Sequence, residues 1–109
     1  MQKYFFNLIF LSFLLSFSLK ADFVIDVRTV DEYKMGHLEK SINIEWQKIS
    51  SIEASIAKDK KLYLYCRSGN RSGKAADILI SLGYKDVINL GSVESAAEYL
   101  KLNIIKQNQ

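Results

Sequence analysis

The sequence contains no proline and a single cysteine among its 109 residues. With Cys66 alone, the chain cannot form an internal disulfide, so this thiol is either a buried apolar group or a reactive one. The sequence also has little excess charge of one sign, with 15 lysine and arginine residues against 12 aspartate and glutamate residues. That balance does not indicate binding to nucleic acid. No internal repeat of roughly 20 to 50 residues occurs, so one domain is expected.

Apolar residues are concentrated near the N-terminus. A lysine is followed by a largely apolar run over residues 5–19, with serines in its second half. A basic start, an apolar segment and small residues near its end are typical of a secretory signal peptide. The run is shorter than the roughly 20 residues of a membrane span, so an anchor is the less favoured alternative. We expect residues 1–21 to be a signal peptide, cleaved after Ser18 or Ala21. Residues 22–109 would then form a single periplasmic domain without stable membrane association.

Strand-like and helix-like patterns alternate along the rest of the chain. Strands are predicted at residues 22–27, 41–44, 62–65 and 86–90, and helices at 29–35, 46–58, 74–82 and 93–102. Thr29 and Glu32 have the spacing of a capping box at the start of the first helix, and Gly36 ends that helix. This alternation predicts an α/β fold, in which helices cover both faces of a parallel sheet. Ligands of such sheets bind at the carboxyl ends of the strands.

The segment after the third predicted strand contains the residues best suited to catalysis and anion binding. Cys66 ends that strand and is followed by Arg67, Ser68, Gly69, Asn70, Arg71 and Ser72. A junction between a strand and a helix presents unpaired backbone N–H groups that can hold an anion. A helix N-terminus and nearby arginines also lower the pKa of a cysteine below its free value of roughly 8.5. A lone cysteine is often only a small buried hydrophobe, but this setting favours a nucleophilic thiolate.

Four charged residues are candidates for supporting this loop or for binding a substrate. Asp26 and Arg28 end the first predicted strand. They are interpreted as supports of the loop rather than as surface partners, because a buried carboxylate needs a charged partner. Arg67 is the better candidate for binding an anionic substrate, since it adjoins the cysteine. Arg71 is equally consistent with substrate binding and with tying the loop to Asp26 or Glu32.

Two ordered motifs resemble those of the single-domain rhodaneses. The first is Ile25-Asp26-Val27-Arg28, followed by Gly36-His37-Leu38 and Ser41-Ile42-Asn43-Ile44, and the second is Cys-Arg-Ser-Gly-Asn-Arg-Ser at residues 66–72. The resemblance extends over residues 23–102 and looks most like the periplasmic type. It implies a rhodanese-like α/β fold with a small parallel sheet of four to five strands, and a scaffold role for His37. The chain departs from the family at Glu39 and Lys40, where proline and glycine are frequent.

The resemblance implies thiosulfate sulfurtransferase activity. The Cys66 thiolate would take the outer sulfur of thiosulfate, release sulfite, and pass the resulting persulfide sulfur to cyanide or a thiol. Backbone N–H groups of residues 67–72 would stabilise the anionic sulfur, and the arginines would attract the donor. Neither a cofactor nor a metal is expected.

Two other classes of function remain open. Cysteine phosphatases and arsenate reductases use a similar cradle, but with a Cys-x5-Arg loop. The spacing from Cys66 to Arg71 is Cys-x4-Arg, which gives a smaller loop and disfavours a tetrahedral oxyanion. The other alternative is a rhodanese-like module that binds a partner or carries sulfane sulfur. The presence of Cys66 disfavours an inactive binding module but is compatible with a carrier.

Overall fold

Four parallel strands form the central sheet of the protein. The computed structural model describes residues 22–107. Its strands are β1 (Phe23–Asp26), β2 (His37–Leu38), β3 (Ile42–Asn43), β4 (Lys61–Cys66), β5 (Asp86–Ser92) and β6 (Ile104–Ile105). Its α-helices are α1 (Val30–Met35), α2 (Asn70–Ser81) and α3 (Val93–Leu100), and a 3₁₀ helix spans Trp46–Ala54. The sheet order is β3-β1-β4-β5, with every neighbouring pair parallel.

Helices cover both faces of this sheet. One face packs with the 3₁₀ helix and α2 in a cluster that includes Ile25, Ile49, Leu64 and Leu79. The other face packs against α3, through a smaller cluster that contains Tyr65, Leu90, Val93 and Ala96. Because strands buried on both faces need apolar residues on both sides, β1 and β4 have near-continuous apolar sequences. The predicted α/β class and four-stranded parallel sheet are confirmed.

The capping box at the first helix is also confirmed. The Thr29 hydroxyl oxygen accepts the Glu32 backbone N–H at 3.2 Å, and a Glu32 carboxylate oxygen accepts the Thr29 backbone N–H at 3.1 Å. The helix is short, with six residues, and Gly36 is its C-cap residue. Two of the unpaired N–H groups at the start of α1 are thus satisfied within four consecutive residues.

The helix predicted over residues 46–58 is present but shorter than predicted. This segment is a 3₁₀ helix that ends at Ala54, and Glu45 at its N-cap makes no side-chain hydrogen bond to it. The two buried side chains of this helix, Ile49 and Ile52, are three residues apart. That spacing brings them onto one line of a helix with three residues per turn. The segment therefore has one buried apolar face, along which the side chains are spaced by three residues.

The helix after Cys66 begins four residues earlier than the predicted start at Lys74. Helix α2 starts at Asn70, and Gly69 is its N-cap, with a left-handed φ of 94°. The true loop is therefore only Arg67-Ser68-Gly69. This short connection brings the first turn of α2 directly against the end of β4.

A second, two-stranded antiparallel sheet was not predicted. It pairs β2 with β6, with His37 opposite Ile105 and Leu38 opposite Ile104. The pairing joins the segment after α1 to the C-terminal segment. In the part of the chain that the structure describes, no helix is long and apolar enough to cross a membrane. The predicted signal peptide at residues 1–21 lies outside the described residues.

Candidate functional site

The sulfur of Cys66 lies at the carboxyl end of β4, inside the turn that leads to α2. Its side chain is completely buried. The Gly69 backbone N–H donates to Sγ at 3.0 Å, and the Ser72 backbone N–H points to the same sulfur at 3.5 Å. The Ser72 hydroxyl oxygen lies 3.3 Å from Sγ. The turn and the first residues of α2 thus surround one sulfur atom with hydrogen-bond donors, which is the arrangement that an anion needs.

Two opposing effects determine the acidity of this thiol. Burial raises the pKa of Cys66, whereas hydrogen bonds from the Ser72 hydroxyl and from the backbone N–H groups of Ser72, Ser68 and Gly69 lower it. The net result is a pKa below the ordinary value of a cysteine. Donors that stabilise only the charged form shift the equilibrium toward thiolate.

The backbone of Gly69 makes this turn possible. Its φ of 94° lies in the left-handed region, and a Cβ at this position would lie 3.4 Å from the Gly91 Cα of β5. A residue with a side chain would therefore meet both backbone strain and a close neighbour. Glycine at this position allows the turn to direct its N–H group at the sulfur.

Arg71 lies on the first turn of α2 and forms a bidentate ion pair with Glu32 of α1. Its two terminal nitrogens donate to the two carboxylate oxygens at 2.7 and 2.9 Å. The hydrogen bond from Arg71 lowers the pKa of Glu32 to about 2, and the same bond raises the pKa of Arg71. Of the two partners considered from the sequence, Asp26 and Glu32, the structure places Arg71 against Glu32.

Asp26 and Arg28 form a second ion pair, which is buried. Arg28 Nη2 lies 2.6 Å from the Asp26 carboxylate, and side-chain exposures are 0% for Asp26 and 9% for Arg28. Arg28 also donates to the Gly36 carbonyl oxygen at 2.6 Å and lies 5.9 Å from the Tyr65 ring centroid. Among the described residues, the side-chain hydrogen bonds of this pair do not reach the loop. The two residues are therefore partners of each other, although in the interior rather than at the surface.

An open cleft lies beside the loop. It has a volume of about 530 Å³ and is lined by Arg28, Glu32, Met35, Arg67, Val93 and Glu94. Arg67, Ser68 and Asn70 are exposed, whereas Ser72 is fully buried. Within the described residues, the Arg67 side chain makes no ion pair, in contrast to Arg28 and Glu32. Among the described residues that line this cleft, Arg67 is thus the cation without a carboxylate partner.

The structure adds one residue to the site that the sequence did not indicate. Asn89, on β5, accepts the Ser72 hydroxyl at 2.7 Å and donates to the Gly69 carbonyl oxygen at 3.0 Å. The only signal in the sequence was a polar residue inside an apolar strand pattern near that strand's carboxyl end. Such a residue is common on exposed strand positions, so the signal has little specificity.

His37 is part of the scaffold around α1. Its ring stacks on Tyr33 with centroids 3.6 Å apart, and its Nδ1 lies 2.7 Å from the Tyr33 carbonyl oxygen. Because a carbonyl oxygen can only accept, Nδ1 carries the proton in this hydrogen bond. Residues 22–107 contain no cluster of three or more histidine, cysteine, aspartate or glutamate side chains that could hold a metal ion.

Comparison with known proteins gives one consistent family. The family model described as "Rhodanese-like domain" matches residues 15–98. The chain is 35% identical over 79 residues to the thiosulfate sulfurtransferase PspE of Escherichia coli, which covers 71% of this chain and 76% of that protein. It is 34% identical over 67 residues to a sulfurtransferase of Allochromatium vinosum, covering 62% of this chain and 63% of that protein.

Solved structures agree with this result. An E. coli structure described as a rhodanese with anions superposes with a TM-score of 0.70 at 30% identity, over 80% of this chain and all of that one. A rhodanese-like protein domain from Anabaena, at 20% identity and a TM-score of 0.71, matches over 82% of this chain and 96% of its own. The latter likeness concerns the fold alone.

Proposed function

The chain belongs to the rhodanese-like domain family, and from that premise we propose that it is a thiosulfate sulfurtransferase that works through a persulfide on Cys66. The observation that carries this proposal is the set of donors converging on Cys66 Sγ, with Gly69 N–H at 3.0 Å and Ser72 Oγ at 3.3 Å. A cysteine surrounded by such donors is ionised to the thiolate and held in position before a substrate arrives.

The proposed reaction has two displacements at sulfur. The Cys66 thiolate attacks the outer sulfur of thiosulfate, a new S–S bond forms, and the old S–S bond breaks as sulfite leaves with its electron pair. Cyanide or a thiolate then attacks the outer sulfur of the Cys66 persulfide, which releases thiocyanate or a new persulfide and restores the thiolate. The two steps need no external oxidant, reductant or cofactor.

The loop residues have distinct proposed roles. Backbone N–H groups of Ser68, Gly69 and Ser72 stabilise negative charge at the sulfur, in line with the lowered pKa of Cys66. Arg67 attracts the dianionic donor from the cleft, because it is exposed and makes no ion pair within residues 22–107. Because Cys66 is completely buried, access of the donor to Sγ would require a movement of the residues that surround it. Asn70, the exposed first residue of α2, would lie beside the path of the donor to the sulfur.

For Arg71 we propose a structural role rather than direct substrate binding. Both of its terminal nitrogens are engaged by Glu32, at 2.7 and 2.9 Å. The pair takes two of the five guanidinium N–H groups and compensates the positive charge, so Arg71 attracts a second anion less strongly than an unpaired arginine would. Its function would be to hold the first turn of α2, and with it Ser72, against α1. Asp26 and Arg28 would support the end of β1 beside it.

The decisive experiment measures thiocyanate formed from thiosulfate and cyanide by the purified domain of residues 22–109. We expect turnover in the wild type and none above background in Cys66→Ser, since a hydroxyl neither ionises near neutral pH nor holds a persulfide. Mass spectrometry after thiosulfate treatment should show one added sulfur atom on Cys66. Turnover that persists in Cys66→Ser would overturn the mechanism. A stable persulfide without turnover would indicate a carrier, and hydrolysis of a phosphate monoester instead would indicate a phosphatase.

We also propose that the protein is exported and acts in the periplasm. The support is the sequence of residues 1–21, with its early lysine, apolar run and small residues, which is the pattern of a secretory signal. N-terminal sequencing of the protein isolated from the periplasm should give a start at Leu19 or Asp22. Recovery of the full-length chain in the membrane fraction would contradict this assignment.

A further inference from the structure

Asn89 lies on the neighbouring strand β5 and hydrogen-bonds to Gly69 and Ser72, the two residues that contact the sulfur. Its side-chain nitrogen donates to the Gly69 carbonyl oxygen at 3.0 Å, and its side-chain oxygen accepts the Gly91 N–H at 3.0 Å. A carbonyl oxygen can only accept and a backbone N–H can only donate, so these two contacts determine the orientation of the amide. The same Oδ1 accepts the Ser72 hydroxyl at 2.7 Å.

The Ser72 hydroxyl has one proton and two acceptors for it. Oδ1 of Asn89 is 2.7 Å away, and Sγ of Cys66 is 3.3 Å away. When Cys66 is a thiol, S–H donates to Ser72 Oγ while Ser72 O–H donates to Asn89, so every donor is paired. A thiolate has no proton to offer. Its contact with Oγ is favourable only when the Ser72 proton turns toward the sulfur.

We propose that Asn89 is a positioning residue that acts on Cys66 through the Ser72 hydroxyl. This hydroxyl donates its hydrogen bond to Asn89 when Sγ is uncharged, and it donates to Sγ instead when Sγ is a thiolate. This inference rests on Cys66 being the nucleophile of the proposed function. It extends to the persulfide, in which the negative charge lies on the outer sulfur and Sγ is neutral. The Ser72 proton then returns to Asn89. The proton stays bonded to Ser72 throughout, and no covalent bond is made or broken by this rotation.

Asn89 therefore has two opposing effects on the acidity of Cys66. Its Oδ1 competes with the thiolate for the Ser72 proton, which favours the forms with neutral Sγ. Its Nδ2 anchors the Gly69 carbonyl oxygen and so keeps the Gly69 N–H directed at Sγ, which favours the thiolate. Removing the side chain removes both effects. They can be separated because only the first needs the Ser72 hydroxyl.

The charged groups that surround the thiol in the wild type are retained in every variant of the test. Arg67 adjoins Cys66, and Arg71 faces it from α2, since the charge of Cys66 contributes to the raised pKa of Arg71. Behind them lie Glu32 on α1 and the pair of Asp26 and Arg28 at the end of β1. None of these is altered, so differences between the variants report on Asn89 and Ser72.

The test is a double-mutant cycle on the pH dependence of Cys66 alkylation by iodoacetamide. The four proteins are wild type, Asn89→Ala, Ser72→Ala and the double variant, each with Cys66 as its only thiol. The shift in alkylation pKa caused by Asn89→Ala should be about half a unit less positive in the wild-type background than in the Ser72→Ala background. This difference corresponds to about one hydrogen bond. Equal shifts in both backgrounds would overturn the proposal, because Asn89 would then act without Ser72.

Asn89→Asp provides a second cycle that does not depend on how well Asn89→Ala folds. Aspartate has the same shape and accepts the Ser72 proton more strongly. Asn89→Asp should therefore raise the alkylation pKa more when Ser72 is present than in the Ser72→Ala background. The coupling between the two positions then has the opposite sign to that found with Asn89→Ala. The charge repulsion from aspartate and the loss of the Nδ2 donor to the Gly69 carbonyl oxygen occur in both backgrounds and cancel in the comparison. Alkylation needs no sulfur donor, so a failure to produce thiocyanate would refute the proposed function but leave the outcome of these cycles unaffected.

Discussion

Two ion pairs lie near the same edge of the sheet, and the chain makes them in different ways. The pair of Asp26 and Arg28 joins residues two positions apart at the end of β1, with side chains 0% and 9% exposed. The pair of Glu32 and Arg71 joins residues 39 positions apart, with side chains 29% and 28% exposed. The first is completed within one segment and is shielded from water. The second links two helices and is partly hydrated.

This difference in burial leads to different energetic roles. A buried charge that loses its partner has neither solvent nor counter-charge, so breaking a buried pair is costly. A partly exposed pair is screened and contributes less to the free energy of unfolding. The second pair, however, links the first turn of α2 to α1, and that turn carries Ser72 against the sulfur. We therefore expect Asp26–Arg28 to matter mainly for stability and Glu32–Arg71 mainly for the site.

The largest effect on stability is expected from Asp26→Ala. Arg28 would stay buried without its carboxylate, which lowers the free energy of unfolding by about 3–5 kcal/mol. Urea denaturation of wild type and variant measures this loss. The control is Asp26→Ala combined with Arg28→Met, which removes both charges and should recover a large part of it. A loss below about 1 kcal/mol would mean that this pair behaves like a surface pair.

A smaller loss of stability, with a larger loss of activity, is expected from Arg71→Ala. The free energy of unfolding should fall by about 1 kcal/mol, as for a partly exposed pair with good geometry. Because the first turn of α2 loses its link to α1, kcat/KM for thiosulfate should fall at least tenfold. Arg71→Lys keeps the charge but not the bidentate contact, so its kcat/KM should lie between those of the wild type and Arg71→Ala. Unchanged kcat/KM in Arg71→Ala would remove the distinction between the two pairs.

The stability contributed by Glu32 should depend on pH. Its pKa in the folded protein is about 2, against an ordinary value of 4.5. A lowered folded pKa means that the contribution is fully present above the unfolded pKa and is lost as pH falls toward 2. The free energy of unfolding of wild type should exceed that of Glu32→Gln by about 1 kcal/mol at pH 6. This difference should shrink steadily between pH 4.5 and pH 2. A constant difference over that range would show that the ion pair is not its source.

The smallest effect on stability is expected from Arg67→Ala. Arg67 is exposed and makes no ion pair within residues 22–107, so the free energy of unfolding should change by less than about 0.5 kcal/mol. Its proposed contact with the donor predicts a several-fold rise in KM for thiosulfate. The alkylation pKa of Cys66 should rise by less than about one unit, because backbone donors remain in place. Unchanged KM would exclude Arg67 from donor binding.

Several features of the fold could be predicted because neighbouring residues determine them. The capping box needs only Thr29 and Glu32, and the structure contains both of its hydrogen bonds. The four strands of the main sheet have short apolar sequences that differ clearly from the helical patterns between them. Cys66 could be singled out because the glycine and two arginines after it are a local pattern at a strand-to-helix junction.

Other features could not be predicted because their causes lie elsewhere in the chain. Strands β2 and β6 have two residues each, too few to show a period, and each exists only through the other. Arg71 had two possible acidic partners until folding brought Glu32 of α1 within 2.7 Å of it. The role of Asn89 depends on the pairing of β5 with β4, which places it beside the turn at Gly69.

The sequence by itself determined the α/β class, the main elements and the position of the cysteine, because these depend on interactions between residues close along the chain. The tertiary structure alone decided which partner each polar group takes. A carboxylate, a guanidinium or an amide satisfies its hydrogen bonds with whatever group folding brings near, and burial then determines how strong the contact is. For this reason Asp26, predicted to support the loop, pairs with Arg28, whereas Asn89, without a distinctive pattern, contacts both Gly69 and Ser72.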